Sequence, residues 1–544
     1  MQRPAAIPRR TGASGILALA LYAAVGAAGT WFLFQPTLAS GFSKLQTDAG
    51  DPLLNCYLLE HERRVVEGRD HLGTFWSPPF YYPAPHALTY SENMMGMLPV
   101  YALLRLGWDP STSYQLLLIL LCVLDYLAML LLLRQLGVGP PLATLGAYFF
   151  AFGAPRCSQL GHIQLFPIFY VPLALWALWR LLAAPSRGKL ALLLVLLYLQ
   201  LLSGIYVGWF LLLALGLVVP LLLFWDRDGR RRLAAFCRSA PWSLILSLAA
   251  CVAASFAVLE PYLVAKADLG ERRWDDVLSF LPRVTSWLAA PPGSLYHALL
   301  PDISLTARAP WEHYLFPGMV PIALGAVSVA YTLRLSQEER RRQALLVTCW
   351  IAAAALVAIS LVVPRFALDG LHLVKVYPGV SLWWWVFRSV PGAGAIRAVG
   401  RISIVIDALA AVAFCCGADA AIRRGRLRPM ARAALLAALL VVGVAEQRVP
   451  SPPAFEKQSF WRRVAAVRAS IPPGCHLLYL TLQPGRNYPV TQLVAMWAGL
   501  DARVPVINGY SGNAPPHYPQ GLRTWSMSEL RAWSGDDPCM VSEP

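Results

Sequence analysis

A chain of 544 residues that is 57% hydrophobic and only 14% charged, with a mean hydropathy of +0.51, is too apolar for a set of water-soluble domains and reads as a polytopic membrane protein. The net charge of +16 does not point to nucleic acid, because the basic residues fall in short clusters between apolar stretches and lack interleaved aromatics. The ten cysteines include no CxxC and no metal-ligand spacing.

In chain order, Arg3, Arg9 and Arg10 precede an apolar run from Gly15 to Phe34. That run is longer than a signal-peptide core and is read as a retained first span. Further spans are predicted near 113–133, 141–156, 164–183, 190–204, 206–225, 241–260, 317–333, 344–363, 402–421 and 430–446. The expected fold is therefore an all-α polytopic membrane protein of about eleven transmembrane helices. With the N-terminus inside, every inner connection is basic: Arg134; Arg180, Arg187 and Lys189; the arginines of 227–238; those of 334–342; and Arg423, Arg424, Arg426 and Arg428. That pattern obeys the positive-inside rule and places the longer, mixed-charge connections outside.

The first outer connection, 35–111, is far longer than a turn needs, and long loops tend to carry function. It opens on Thr47-Asp48-Ala49-Gly50-Asp51-Pro52, with Asp before Pro as a helix-start signal. Apolar residues at 53, 54, 57, 58, 65 and 66 leave a charged face at 60–64, so an amphipathic helix on the membrane surface is expected. The aromatic and proline-rich run Phe75–Pro83 and the triplet Trp383-Trp384-Trp385 suit a headgroup interface. After Glu446 the composition changes. Residues 1–446 form the expected transmembrane domain, and 447–544 a small extracytoplasmic α/β module with a helix near 456–470, a strand near 476–482 and a helix near 490–499. Cys475 and Cys539 both fall in that module, where a disulfide is open to them.

Carboxylates are expensive near a membrane, so Asp48 and Asp51 stand out as candidate catalytic residues. Asp51 has a competing role as helix N-cap. Glu92, His162 and Glu312 are candidate substrate-binding residues, set against solvated-loop or interfacial roles. Arg397 and Arg401, four apart, would share one face of a helix, and their guanidinium forks match a phosphate. Snorkelling to headgroups is the competing role. Arg63, Arg64, Arg462 and Arg463 are read as solvated or lipid-facing. The cofactor is unknown: a divalent metal suits the acidic pair, but no ligand spacing indicates one.

One span, a large outer loop with an acidic motif at its start, and the runs Gly50-Asp51-Pro52-Leu53-Leu54-Asn55, Gly161-His162-Ile163-Gln164, Arg397/Arg401 and Asn508-Gly509-Tyr510-Ser511-Gly512 together resemble the GT-C superfamily of integral-membrane glycosyltransferases, in an uncharacterised bacterial branch. The resemblance implies inverting transfer of a sugar from a polyprenyl-phosphate donor to a glycan, lipid or protein acceptor of the cell envelope. The site would lie on the outer face of a bacterial inner membrane. Asp51, or Asp48 beside it, would be the base and Arg397 and Arg401 the phosphate ligands. The Asp-x-x-Asp spacing departs from the adjacent acids of several GT-C families. Two other classes stay open: a lipid or glycolipid transporter, kept alive by Asp125 and Asp407 inside apolar spans, and a non-catalytic membrane assembly protein.

Overall fold

The computed structural model describes residues 12–69, 72–304, 307, 309–335, 339–369, 372–519 and 524–543, with the side chains of 12–14, 340, 364–369 and 372–379 excepted. Arg3, Arg9 and Arg10 lie outside the described residues.

The chain is mostly helical. Each predicted span position carries a helix: Gly12–Ala39, Pro110–Gln135, Pro140–Phe152, Tyr170–Ala183, Arg187–Ser203, Ile205–Trp225, Pro241–Leu269, Met319–Leu333, Arg340–Ser360, Ser403–Arg424 and Pro429–Glu446. Among the described residues eight are long and apolar enough to cross a membrane, with Tyr170–Ala183 reaching that length through the turn before it. Pro140–Phe152, Arg187–Ser203 and Met319–Leu333 are shorter, at 13, 17 and 15 residues. The helix starts follow local chemistry: Pro110 is the first helical residue and the Asp109 side chain accepts the Thr112 N–H at 3.1 Å.

The basic connections meet at one end of the bundle. Arg341 lies over the Trp179 ring, Arg232 donates to the Leu182 carbonyl, and Arg424 bonds the Tyr331 hydroxyl and Glu339. Arg424 ends the helix that begins at Ser403, so about 30 Å of helix separates this end from the Arg401 end.

The connection over 35–111 and the tail form one structure. Lys44–Gln46 pairs antiparallel with Ala454–Glu456. The tail helices are Lys457–Ala469, Tyr488–Ala502 and Met527–Ser534, and the strand Leu478–Leu480 pairs in parallel with Cys539–Val541. Cys475 and Cys539 form a disulfide across that pair. A two-stranded hairpin, Val362–Asp369 with His372–Ser381, had no counterpart in the sequence reading.

Several expectations need correcting. The Asp51–Val66 helix exists but is not a surface helix: every residue from Pro52 to Arg63 is buried. The tail covers it, with the Trp497 indole N–H donating to the Leu53 carbonyl at 3.3 Å. Its charged face is tolerated because Glu60, fully buried, gathers Arg63 at 2.8 Å, Arg105 at 2.9 Å, Arg64 at 3.1 Å and the Tyr101 hydroxyl at 3.1 Å. Arg63 and Arg64 are therefore structural ions; Arg64 also pairs with Asp501 at 2.8 Å. Arg463 pairs with buried Glu543, while Arg462 stays exposed. Of the Phe75–Pro83 run, residues 78–81 are covered while Tyr82 and Pro83 stay exposed, and Tyr81 and Tyr82 donate backbone N–H groups to the carbonyls of Asn508 and Val506. The tryptophan triplet splits. Trp383 is fully buried against Trp209 and Phe210, whereas Trp385 is 68% exposed.

Candidate active site

Asp51 is the first residue of its helix, and Gly50 is the cap with no side-chain hydrogen bond. The N-cap role expected of Asp51 is thus not its role. Its Oδ1 accepts the Tyr510 O–H at 2.8 Å and its Oδ2 meets His162 Nε2 at 3.1 Å. The side chain remains 37% exposed. Burial pushes the carboxyl up, but the His162 contact, the Tyr510 hydrogen bond and the Arg401 charge outweigh it and hold Asp51 below its usual range. The helix N-terminus favours the same charged form. Asp48 does something different. Its Oδ1 accepts the Gly50 N–H at 2.8 Å, a turn that sets the entry of the chain into the helix.

His162 is placed from the same helix. Asn55, one turn after Asp51, donates its Nδ2 to the Gly161 carbonyl at 3.1 Å, a buried bond that locks the residue before His162. A Cβ on Gly161 would come within 3.2 Å of the Thr47 hydroxyl, so the fit between these two residues is tight. His162 Nδ1 is buried without a hydrogen-bond partner among the described residues. The loop is tied onward by Gln159, whose Nε2 donates to the Trp311 carbonyl at 2.8 Å.

Trp311 leads to Glu312, which is 2% exposed and gripped by Arg401: Nη2 to Oε1 at 2.6 Å, Nε to the two oxygens at 3.1 and 3.2 Å. Burial pushes the Glu312 carboxyl up, and the Arg401 charge and hydrogen bonds more than reverse it. Gly400 allows this, since a Cβ there would sit 2.4 Å from the Glu312 carbonyl oxygen. The Arg401 guanidinium also lies 5.4 Å from the centre of the Tyr206 ring.

Arg397 and Arg401 do not share a helix face, because a 3-10 turn over Val399–Ile402 separates Arg397 from the helix that starts at Ser403. Glycines at 392, 394 and 400 and the tight turn explain why the four-residue spacing misled. Arg397 lies over the Phe280 ring at 4.9 Å, its backbone N–H donates to the Tyr206 hydroxyl at 3.2 Å, and no acid pairs with it among the described residues. Arg272 stands beside it, donating to the Ala395 carbonyl at 3.1 Å and the Asn513 side chain at 3.3 Å, and its charge acts on Arg397.

Glu92 accepts the Ile205 N–H at 2.5 Å and so caps the Ile205–Trp225 helix from a distant loop. Burial pushes its carboxyl up, and the Arg401 charge and the Ile205 and Tyr206 N–H groups offset this only in part, leaving it at about 7. His313 is occupied by the Ser286 hydroxyl and the Ser279 carbonyl.

The structure therefore gathers Asp51, His162, Glu312, Arg401, Arg397 and Glu92 from connections far apart in the chain, and sets Asp48 behind them as a turn-former. Sequence reasoning missed Tyr510, Asn55, Tyr206 and Arg272. Tyr510 and Asn55 fall within runs already noted, so a signal was present for those two. Tyr206 and Arg272 had none. Among the described residues no three His, Cys, Asp or Glu side chains gather as a metal-binding group.

No family model and no curated protein matches the chain. Among solved structures, it is similar to the apo oligosaccharyltransferase of Archaeoglobus fulgidus, at a TM-score of 0.47 and 13% identity over 92% of this chain and 65% of that one. The chain thus spans just under two thirds of that protein's length.

Proposed function

We propose that the chain is a GT-C-type glycosyltransferase that moves a sugar from a polyprenyl-phosphate donor to a glycan, lipid or protein acceptor of the cell envelope. In this reading it sits in a bacterial inner membrane with its N-terminus in the cytoplasm and its reactive site and 447–544 module outside. The observation that carries it is the Asp51 carboxylate, part-exposed and aimed by His162 and Tyr510, within the field of Arg401.

The chemistry follows from those groups. An ionised carboxylate at 3.1 Å from an imidazole takes the proton of an acceptor hydroxyl. The acceptor oxygen then bonds to the anomeric carbon as the bond from that carbon to the phosphate oxygen breaks. The electron pair leaves on the polyprenyl phosphate, and its added charge faces Arg397 and Arg272, neither of which has an acid partner among the described residues. Arg401, held by Glu312, contributes its field rather than a free fork.

The test is transfer of a radiolabelled sugar from a polyprenyl-phosphate donor by the purified full chain, with cell-envelope extract as acceptor. Asp51→Asn is expected to lose activity by roughly 10²-fold or more, the usual scale for a general base. Asp48→Asn, which keeps an oxygen for the Gly50 N–H, should lose far less. Full activity in Asp51→Asn would refute the assignment.

A further inference from the structure

A second polar site lies within the spanning helices, apart from Asp51. A cavity of about 340 Å³ opens between the Pro140–Phe152, Met319–Leu333, Arg340–Ser360 and Ser403–Arg424 helices. That is within the range of roughly 300–1,000 Å³ that ligand pockets occupy. Its lining changes along the Ser403–Arg424 helix. Arg156 and Asp407 line it near the helix start, while Phe414, about 10 Å further along the axis, lines it with Val329 and Trp350. The polar end lies toward the end of the bundle that holds Arg401, and the apolar end points toward its middle.

The polar groups are not satisfied by the protein. Arg156 is 6% exposed; it spends Nη2 on the Leu165 carbonyl at 2.7 Å and lies over the Phe166 ring, but its Nε has no partner. Asp407 makes no hydrogen bond or ion pair among the described residues. Asp125 is fully buried nearby, where the backbone N–H groups of Phe169 and Ile168 act on it, and the Arg156 charge acts on both carboxylates. Gln447, the other polar residue of the lining, is used by the Ala154 N–H and the Pro317 carbonyl. Ionisable groups within a span are expensive, and such groups mark ligand sites or ion pathways.

We propose that this cavity binds an outer-leaflet aminophospholipid. One acyl chain lies along Phe414 and Trp350, the headgroup ammonium meets Asp407, and a phosphodiester oxygen meets Arg156. The direction of the polarity gradient is that of a lipid of the leaflet next to the Arg401 end. A primary ammonium supplies the N–H donors that Asp407 can accept at the polar end of the cavity. A choline headgroup has no N–H, and a glycerol headgroup has no cation. Binding here is independent of sugar transfer.

Native mass spectrometry of the detergent-purified full chain, equilibrated with equal mole fractions of phosphatidylethanolamine, phosphatidylcholine and phosphatidylglycerol, tests this. One phosphatidylethanolamine should survive delipidation at about ten-fold preference over the other two, the scale of one charge-assisted contact. Asp407→Asn should bring that preference near parity. Ala326→Trp, at an exposed position of the cavity lining, should remove bound lipid of all three kinds, and Val329→Trp serves if the first does not fold. Parity in the wild type, preference for phosphatidylglycerol, or undiminished phosphatidylethanolamine in a folded cavity-filling variant would each overturn the proposal and leave the charges as a structural ion cluster.

Discussion

Asp51 differs from Asp48 through what its oxygens touch. Both are acids of one short turn, yet Asp48 serves a backbone N–H and Asp51 serves a tyrosine and a histidine. Tyr510→Phe deletes one of the bonds that keep the Asp51 carboxyl low, so its pKa rises. If ionised Asp51 is the base, the acid limb of kcat/KM against pH should move to higher pH, with the alkaline limb in place. Glu92 makes a prediction of opposite kind. Its folded pKa, about 7, lies above the ordinary 4.5, so the folded form binds the extra proton. Its contribution is fully present below pH 4.5 and is lost as pH rises through 7. Thermal unfolding of the wild type should therefore weaken from pH 5 to 8 more steeply than that of Glu92→Gln. Asp51, His162, Glu312 and Arg401 were legible one by one, because charged or polar groups beside apolar spans are conspicuous. Tyr510 was not assigned a role, since a tyrosine 459 residues away meets Asp51 only through docking of the tail.

The Asp51–Val66 helix shows how an element can have a predicted start and an unpredicted environment. Its periodicity implied one wet face, but the tail covers that face and Glu60 collects three arginines. Burial pushes Glu60 up, and its hydrogen bonds from Arg63 and Arg105 bring it down to about 2. Glu60→Gln should destabilise the fold by about 3 kcal/mol or more, because it leaves buried guanidinium groups without their counter-charge. A fall in thermal unfolding temperature in detergent would register it. The docking run is equally sensitive. A Cβ on Gly509 would lie 2.2 Å from the Tyr81 ring, so Gly509→Ala should lift 508–513 from the first connection and weaken the Tyr510–Asp51 bond. The pH-profile shift of Tyr510→Phe should reappear in that variant without any change to the catalytic side chains.

At the scale of the whole molecule, the basic connections meet at one end of the helices and the Asp51 cluster and the tail at the other. The Cys475–Cys539 disulfide belongs to the tail end and suits an oxidising compartment. In intact spheroplasts, gentle reduction should expose both thiols to a membrane-impermeant maleimide. Labelling only after lysis would reverse the proposed orientation. Losing the disulfide through paired serine substitutions should cost about 2–4 kcal/mol of tail stability.

Hydropathy and charge clustering alone placed a helix at every span position and separated basic connections from mixed-charge ones, because both signals are local and arise from the cost of burying backbone and charge in lipid. They also picked out most of the cluster's charged residues. What those residues do to one another was decided only in three dimensions. The 3-10 turn before Ser403 set Arg397 apart from Arg401, Glu312 took up Arg401, Arg272 came alongside Arg397 from another connection, and the tail supplied the hydroxyl on Asp51. Contacts between connections hundreds of residues apart leave no period in the sequence, so the same carboxylate could be read as a helix cap until its partners were in place.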